Sequence, residues 1–438
     1  MMLIQYEVEN YRSIRDRQTL SLVASNYYQE QSESLITPKL PGLSGVDLLP
    51  IEVVMGANAS GKSTLINSLF VLRGMVLKSF TNPAGRALEY DPFLLSAEAA
   101  SSPTSFGLIF TSRGVRYEYD LSYVEDHIVR EALSAYPKGR EQKWFVRTWN
   151  EEEEKVKFAH LNASYVKLPK DLEDMLRDDS LFLSFASLLN LESLKPVVEW
   201  FDKEHLIAAN RSIDGPKIRP TKAFSLIEQS GDARDRQQFI GLLRDADFGI
   251  KDVRVVEDDK PLPEKLKDMF NPSVFEQIKE VPQKTAMFAH SAEDSREVEL
   301  EFRDESAGTK RFFELSPSLL TALKNGGLVF IDELDASLHP ILLKELVSLF
   351  RDKRSNPYGA QLVFSAHDVT LLDEGLLRRD EIWLTEKDQS GGTVLYPLSD
   401  YSPRNDEALM GGYLVGRYGG VPVIPEPMSN YGENYTGE

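Results

Sequence analysis

The chain has 438 residues, 42% of them apolar and 27% charged, which is enough for two or three domains with full-sized cores. It has no cysteine, which excludes disulfides, cysteine zinc sites and thiol nucleophiles. A net charge of −19 excludes a surface that grips nucleic acid over most of its area, leaving a local patch or a basic partner as the route to DNA.

Residues 3–14 (LIQYEVENYRSI) alternate apolar and polar positions, and TLSLVAS alternates again, so both predict strands. Residues 26–50 are polar and punctuated by Pro and Gly, a loop. Residues 51–64 read IEVVMGANASGKST, an apolar strand running into G-x-x-x-x-G-K-[ST], with Gly56, Gly61, Lys62 and Ser63 at the spacing of a phosphate loop. The glycines let backbone N–H groups curl around a polyphosphate, and the helix that follows, expected from Lys62 to about Lys78, points the positive end of its dipole at it. Lys62 can reach the β- and γ-phosphates, the Ser63 hydroxyl can ligate Mg²⁺, and Asn58, Ser60 and Thr64 complete the cradle. The string predicts a nucleoside triphosphate, taken as ATP, held with Mg²⁺.

Residues 104–148 hold four strand-like segments, which predict an antiparallel β subdomain inserted after the first helix. Lys143, Trp144, Phe145 and Arg147 there read as a strand with one exposed face. Residues 160–245 turn to helical spacing without sustained heptads, a compact helical lid or stalk. Acidic runs at Glu151–Glu154 and at Asp171, Glu173, Asp174, Asp178 and Asp179 read as solvated faces or as a docking surface for a positively charged partner. Residues 246–300 hold short strands and a Pro-rich link, and alternating strand and helix then return. The longest apolar stretches, such as 181–189, are too short to span a bilayer, and no charged-then-apolar leader opens the chain. A soluble, cytoplasmic protein with no membrane contact is the expectation. The last residues (PEPMSNYGENYTGE) read as a disordered tail.

The second half of the site is LVFIDELD at 328–335, a buried-strand pattern ending in carboxylates. Asp332 would support the metal's coordination sphere, and Glu333 would polarise the attacking water. QLVFSAHD at 361–368 is a third apolar strand, ending in His367, which could orient the γ-phosphate end. His339, before Pro340, reads as capping or packing. DESAGTKRFFEL at 304–315 places Ser306, Gly308 and Thr309 at the start of a helix, a second anion cradle.

These pieces in this order resemble the ATP-binding-cassette-like heads of the SMC, RecF and OLD group, over about residues 1–80 and 300–400. The glycine loop matches Walker A, Ile331-Asp332-Glu333 matches Walker B, Asp335-Ala336-Ser337 the D-loop, Ser306-Ala307-Gly308-Thr309 the signature loop and His367 the switch histidine. The signature departs from the Leu-Ser-Gly-Gly-Gln of transporters, and no glutamine stands at a clear Q-loop position. The resemblance implies that ATP joins two heads, with Ser306 and Gly308 meeting the γ-phosphate across a dimer interface and Asp335 nearby. LLRRDEIWLTEKD and the YPLSDYSPRNDEALMGGYLVGRYGGVP after it look like the AAA15-type, RloA/AbiL-like ATPases of bacterial abortive-infection and phage-defence systems. That likeness implies a separately encoded toxin or nuclease, since this chain shows neither a Glu plus Asp-x-Asp metal cluster after His367 nor an HExxH.

The fold expected is α/β, a P-loop NTPase of ABC/SMC-head type with an inserted antiparallel β subdomain and a helical lid. Its parts would be an N-terminal head portion over 1–100, the β insertion over 101–150, the lid over 151–245, a connecting α/β segment over 246–300, a C-terminal head portion over 301–400 and a tail over 401–438. The function expected is ATP hydrolysis by a homodimer or higher even oligomer that controls an effector. Two alternatives stay open: a RecF-like DNA-repair ATPase, and a slow ATPase serving mainly as a nucleotide-locked scaffold.

Overall fold

The computed structural model describes residues 1–422 apart from 170–171, 173, 190, 203–205, 210–220, 230–232, 247–248, 259–282, 373–374 and 405–406. The expected disordered tail and the Pro-rich link lie outside the described residues. The chain divides into two compact units, one of Met1–Arg211, Ala322–Asp335 and Leu343–Glu438, the other of Ser212–Thr321 and Ala336–Leu342.

The first unit holds two sheets. One joins β1 (Met2–Glu9), β2 (Gln18–Ser21), β4 (Thr104–Ser112), β5 (Val115–Tyr123), β6 (Ile128–Ala135), β7 (Gln142–Asn150) and β8 (Lys155–Leu161), all antiparallel, in the order β2-β1-β4-β5-β6-β7-β8. The period of two is plain in β5, where Tyr117, Tyr119, Leu121 and Tyr123 are buried and Asp120 between them is exposed. The strands expected as a separate insertion over 101–150 therefore continue the sheet that the N-terminus begins. The pairing of β4 with β1, from Met2–Thr111 to Glu9–Ser105, leaves them no core of their own. They also run past 150, because β8 pairs with β7.

The second sheet has the order β16-β15-β3-β14-β13-β9, from β3 (Ile51–Gly56), β9 (Leu206–Ala209), β13 (Leu328–Ile331), β14 (Gln361–Ser365), β15 (Ile382–Lys387) and β16 (Thr393–Pro397). Five strands are parallel and β16 is antiparallel to β15. Every residue of β3, β13 and β14 is buried, the largely apolar strands of a parallel sheet covered on both faces, with Glu52, Gln361 and Ser365 as the buried polar positions. Helix α1 spans Lys62–Lys78, as its spacing predicts, and buries residues all round its circumference, from Leu65 to Val76. It shares one apolar core with both sheets, with Tyr6 of β1 hydrogen-bonded to Ser68 at 2.7 Å.

The helical lid expected over 151–245 is a composite. Its first part is β8. Helices α2 (Phe182–Leu188) and α3 (Lys195–Trp200) are short, and their Phe182, Leu183, Val197 and Trp200 belong to the core of the first unit. The apolar residues that suggested a free-standing stalk are thus spent on covering the antiparallel sheet. Leu206–Ala209 is the edge strand of the parallel sheet. Arg147, expected near an exposed face, is fully buried: its guanidinium donates to Glu131 at 3.1 Å, and Glu131 in turn accepts the Phe182 and Leu183 N–H groups at 2.7 and 3.1 Å. That carboxylate caps the start of α2 and ties it to β6 and β7.

In the second unit, α4 (Thr221–Gln229), α5 (Ala233–Asp245) and the start of α6 (Ala307–Asn325) accompany an antiparallel meander, β10 (Ile250–Asp258), β11 (Gln283–Ser291) and β12 (Glu297–Glu301). Phe313 centres its core, with ring centroids 5.0 Å from Phe288, 5.4 Å from Phe239 and 5.8 Å from Phe302. Residues 246–300, expected as a connecting segment, supply this sheet. No helix among the described residues is long and apolar enough to cross a membrane.

Candidate nucleotide site

The end of β3 and the start of α1 are five residues apart in the chain, and the turn between them fits glycine at both ends. Gly56 has φ +154° and Gly61 φ +116°. A Cβ at Gly61 would lie 2.2 Å from the Thr393 hydroxyl oxygen, and one at Gly56 2.4 Å from Thr385 O. The loop is packed against β15 and β16 by hydroxyls. Ser60 Oγ is hydrogen-bonded to Thr385 Oγ1 at 2.6 Å, and Thr393 Oγ1 donates to Ser60 O at 2.9 Å. Ser13 Oγ bridges Thr393 Oγ1 at 2.9 Å and Thr64 Oγ1 at 3.1 Å. Asn58 and Ala59 are exposed at the tip of the loop, and Ser63 is exposed in the first turn of α1.

Lys62 is only 5% exposed, and its ammonium donates to Gly56 O at 2.8 Å and Ala57 O at 2.9 Å. Burial lowers its pKa from the ordinary lysine value, while the carboxylates of Asp332, Asp335 and Glu333 pull it back up. The loop lysine and the acids after β13 therefore share one electrostatic site. They meet because β3, β14 and β13 are adjacent parallel strands whose C-terminal ends lie side by side, where α/β sheets bind ligands.

β13 and β14 are cross-linked just past their ends. Ser365 Oγ donates to Asp332 Oδ1 at 2.6 Å and accepts the Glu333 N–H at 2.8 Å, while the Leu334 N–H donates to Ser365 O at 3.0 Å. Glu333 takes a left-handed conformation, φ +52°, in that turn. Asp335 Oδ2 accepts the N–H groups of His367 at 2.7 Å and Asp368 at 3.0 Å. One oxygen of Asp335, expected near a dimer interface, thus holds the His367 loop of its own chain, and Oδ1 is buried without a hydrogen bond among the described residues. His367 itself is exposed.

Ser306 and Gly308 belong to the second unit. Ser306 Oγ caps α6 by accepting the Thr309 N–H at 3.1 Å, and a Cβ at Gly308 would lie 2.7 Å from Ser337 O. His339 Nδ1 accepts the Ile341 N–H at 3.3 Å, the capping role its place before Pro340 suggests.

Gly56 and Gly61 stand where a Cβ would collide with Thr385 and Thr393, so the close packing of the loop admits only glycine at its two ends. The donors offered to a metal, Ser63 and Asp332, are hard oxygens that suit Mg²⁺ shared with phosphate oxygens. Among the described residues no group of three or more His, Cys, Asp or Glu forms a cage that would hold a metal unaided. Sequence reasoning missed Ser13, Ser365, Thr385 and Thr393. Ser365 left a signal, a hydroxyl closing the otherwise apolar run LVF, whereas Thr385 sits in a stretch quoted only for its likeness to a family and Thr393 in the unquoted stretch that follows it.

A family model described as an AAA domain, putative AbiEii toxin, Type IV TA system, matches residues 53–373. The chain belongs to this family. The match runs from inside β3 through the phosphate loop and the acids after β13 to the His367 loop, and leaves out Ser13, β15 and β16. The α/β fold class expected from the sequence is the one found, with a parallel sheet carrying the phosphate loop, and the matching family is that of an AAA domain. No curated protein matches the chain. Solved structures similar to it include the SMC head domain from Thermotoga maritima (11% identity, TM-score 0.37, covering 91% of this chain and 99% of that one). Two others are Smc head domains with coiled coils. One, from Pyrococcus furiosus, is bound to the C-terminal domain of ScpA (13%, 0.39, 92% and 98%). The other is from Pyrococcus yayanosii (10%, 0.40, 92% and 100%).

Proposed function

We propose that this chain is a Mg²⁺-dependent ATPase whose heads pair around ATP and so control a separately encoded toxin or nuclease in bacterial defence against phage. The observation that carries the ATPase reading is the site shared by Lys62 with Asp332, Glu333 and Asp335 at the ends of neighbouring parallel strands. Lys62 leaves the carbonyls of Gly56 and Ala57 to donate to the β- and γ-phosphates. Ser63 and Asp332 would hold the metal, which when bound would neutralise charge on those phosphates. Glu333 accepts the proton of the attacking water, and the products are ADP and phosphate. His367, on the loop fixed by Asp335, lies at the γ-phosphate end. Ser306 and Gly308 complete the site of a second copy, so triphosphate favours the paired state and hydrolysis releases it.

The family's description as a toxin–antitoxin AAA domain, and the tail's likeness to RloA/AbiL-like AAA15 ATPases, support the defence role. The net charge of −19 weighs against a RecF-like grip on DNA. Phosphate release from Mg-ATP by the full chain, lost in Glu333→Gln, tests the ATPase. Light scattering of the chain mixed with the product of its genomic neighbour tests the control of an effector. A complex whose size changes with Mg-ATP supports it, and a chain that ignores its neighbour while hydrolysis responds to DNA contradicts it.

A further inference from the structure

We propose that Ser365 is a positioning residue for hydrolysis, the hydroxyl that sets both the metal-supporting carboxylate of Asp332 and the backbone of Glu333. The inference rests on the ATPase reading above. Ser365 is fully buried at the end of β14, the strand between the phosphate-loop strand β3 and the acidic strand β13. A serine hydroxyl has one proton to give and lone pairs to receive. Here the proton goes to Asp332 Oδ1 at 2.6 Å, and a lone pair takes the Glu333 N–H at 2.8 Å. One atom thus touches two consecutive residues with different tasks. The bond to Asp332 holds its carboxylate in one orientation, the role that groups behind metal ligands commonly play. The bond to Glu333 holds a residue at φ +52°, a conformation that non-glycine residues keep only where the surroundings enforce it.

The bond of the Leu334 N–H to Ser365 O and those of Asp335 to the His367 and Asp368 N–H groups tie the same two segments together. They survive removal of the hydroxyl. Ser365→Ala therefore leaves the strands joined and deletes only the contacts to Asp332 and Glu333, which separates positioning from folding.

The test uses the full chain as wild type, Ser365→Ala, Ser365→Cys and Ser365→Thr, each checked by thermal melting. Binding of a fluorescent ATP analogue is titrated in EDTA and then against Mg²⁺, and kcat and KM are measured separately. The expected result for Ser365→Ala is unchanged affinity in EDTA, a Mg²⁺ requirement raised about tenfold and a kcat lowered at least about tenfold with KM little changed. Ser365→Thr restores both, and Ser365→Cys, close to serine in size with a weaker hydrogen-bonding group, falls between. A wild type that responds to Mg²⁺ beside a Ser365→Ala with the same Mg²⁺ response and the same kcat overturns the inference and leaves the ATPase reading standing. A wild type that shows neither Mg²⁺ dependence nor phosphate release overturns the ATPase reading itself, and the inference with it.

Discussion

Replacing Lys62 by Met separates the cost of burying the ammonium from the work it does on phosphate. In the free protein Lys62 is 5% exposed and its ammonium donates to two backbone carbonyls, at 2.8 and 2.9 Å. Met has nearly the same length and no charge to desolvate, so the lost bonds are offset by the removed desolvation, and the unfolding free energy should move by less than about 1 kcal/mol. Nucleotide binding has no such offset, because Met cannot donate to phosphate. A hydrogen bond to a charged group contributes about 1.5–3 kcal/mol, so affinity for Mg-ATP should fall about tenfold to 150-fold. Urea unfolding without nucleotide and calorimetric titration with Mg-ATP measure the two halves. An affinity within about threefold of wild type would refute the reasoning, since it would mean that the ammonium stays on Gly56 and Ala57 when nucleotide binds.

Gly61→Ala should abolish nucleotide binding, measured by the same titration, because its Cβ would sit 2.2 Å from Thr393 Oγ1 at φ +116°. Glu131→Gln should cost about 3–5 kcal/mol in urea unfolding, because it leaves the buried Arg147 guanidinium without its counter-charge and sets an amide against the Phe182 and Leu183 N–H groups. Glu52, fully buried on β3, has its pKa raised, by burial first and then by the nearby Glu381 and Asp380 carboxylates. Between the ordinary carboxyl value and the raised one the folded state binds more protons than the unfolded state, so this group's contribution to stability is complete at acid pH and is lost as pH rises. Wild type should therefore lose stability relative to Glu52→Gln between pH 5 and pH 8 in paired denaturation curves, and parallel curves would contradict the assignment.

The phosphate loop, its strand and helix α1 were legible because close packing and φ near +116° at Gly61 restrict the residues allowed there. The same holds for the acids after β13, where a short apolar run ends abruptly in charge. What was not legible depends on contacts distant in sequence. The strands over 104–148 look self-sufficient by their alternation, yet they share a sheet with β1, a pairing of residues about a hundred positions apart. Phe182, Leu183 and Trp200 have helical spacing, but spacing does not say whether an apolar face covers a sheet or builds a stalk. Arg147 reads as a surface residue until Glu131 and the start of α2 close over it. Thr385 and Thr393 escaped notice because nothing local marks a hydroxyl that packs against a loop more than three hundred residues earlier in the chain.

If ATP joins two copies of this chain, Glu333→Gln should trap the pair, because it keeps nucleotide while halting the step that releases it. Light scattering of this variant with and without Mg-ATP is the measurement. The mass should double with Mg-ATP, return to the monomer value without it, and fail to double when Ser306 is replaced by Arg in the same chain. A Glu333→Gln protein that binds Mg-ATP and stays monomeric would contradict that pairing.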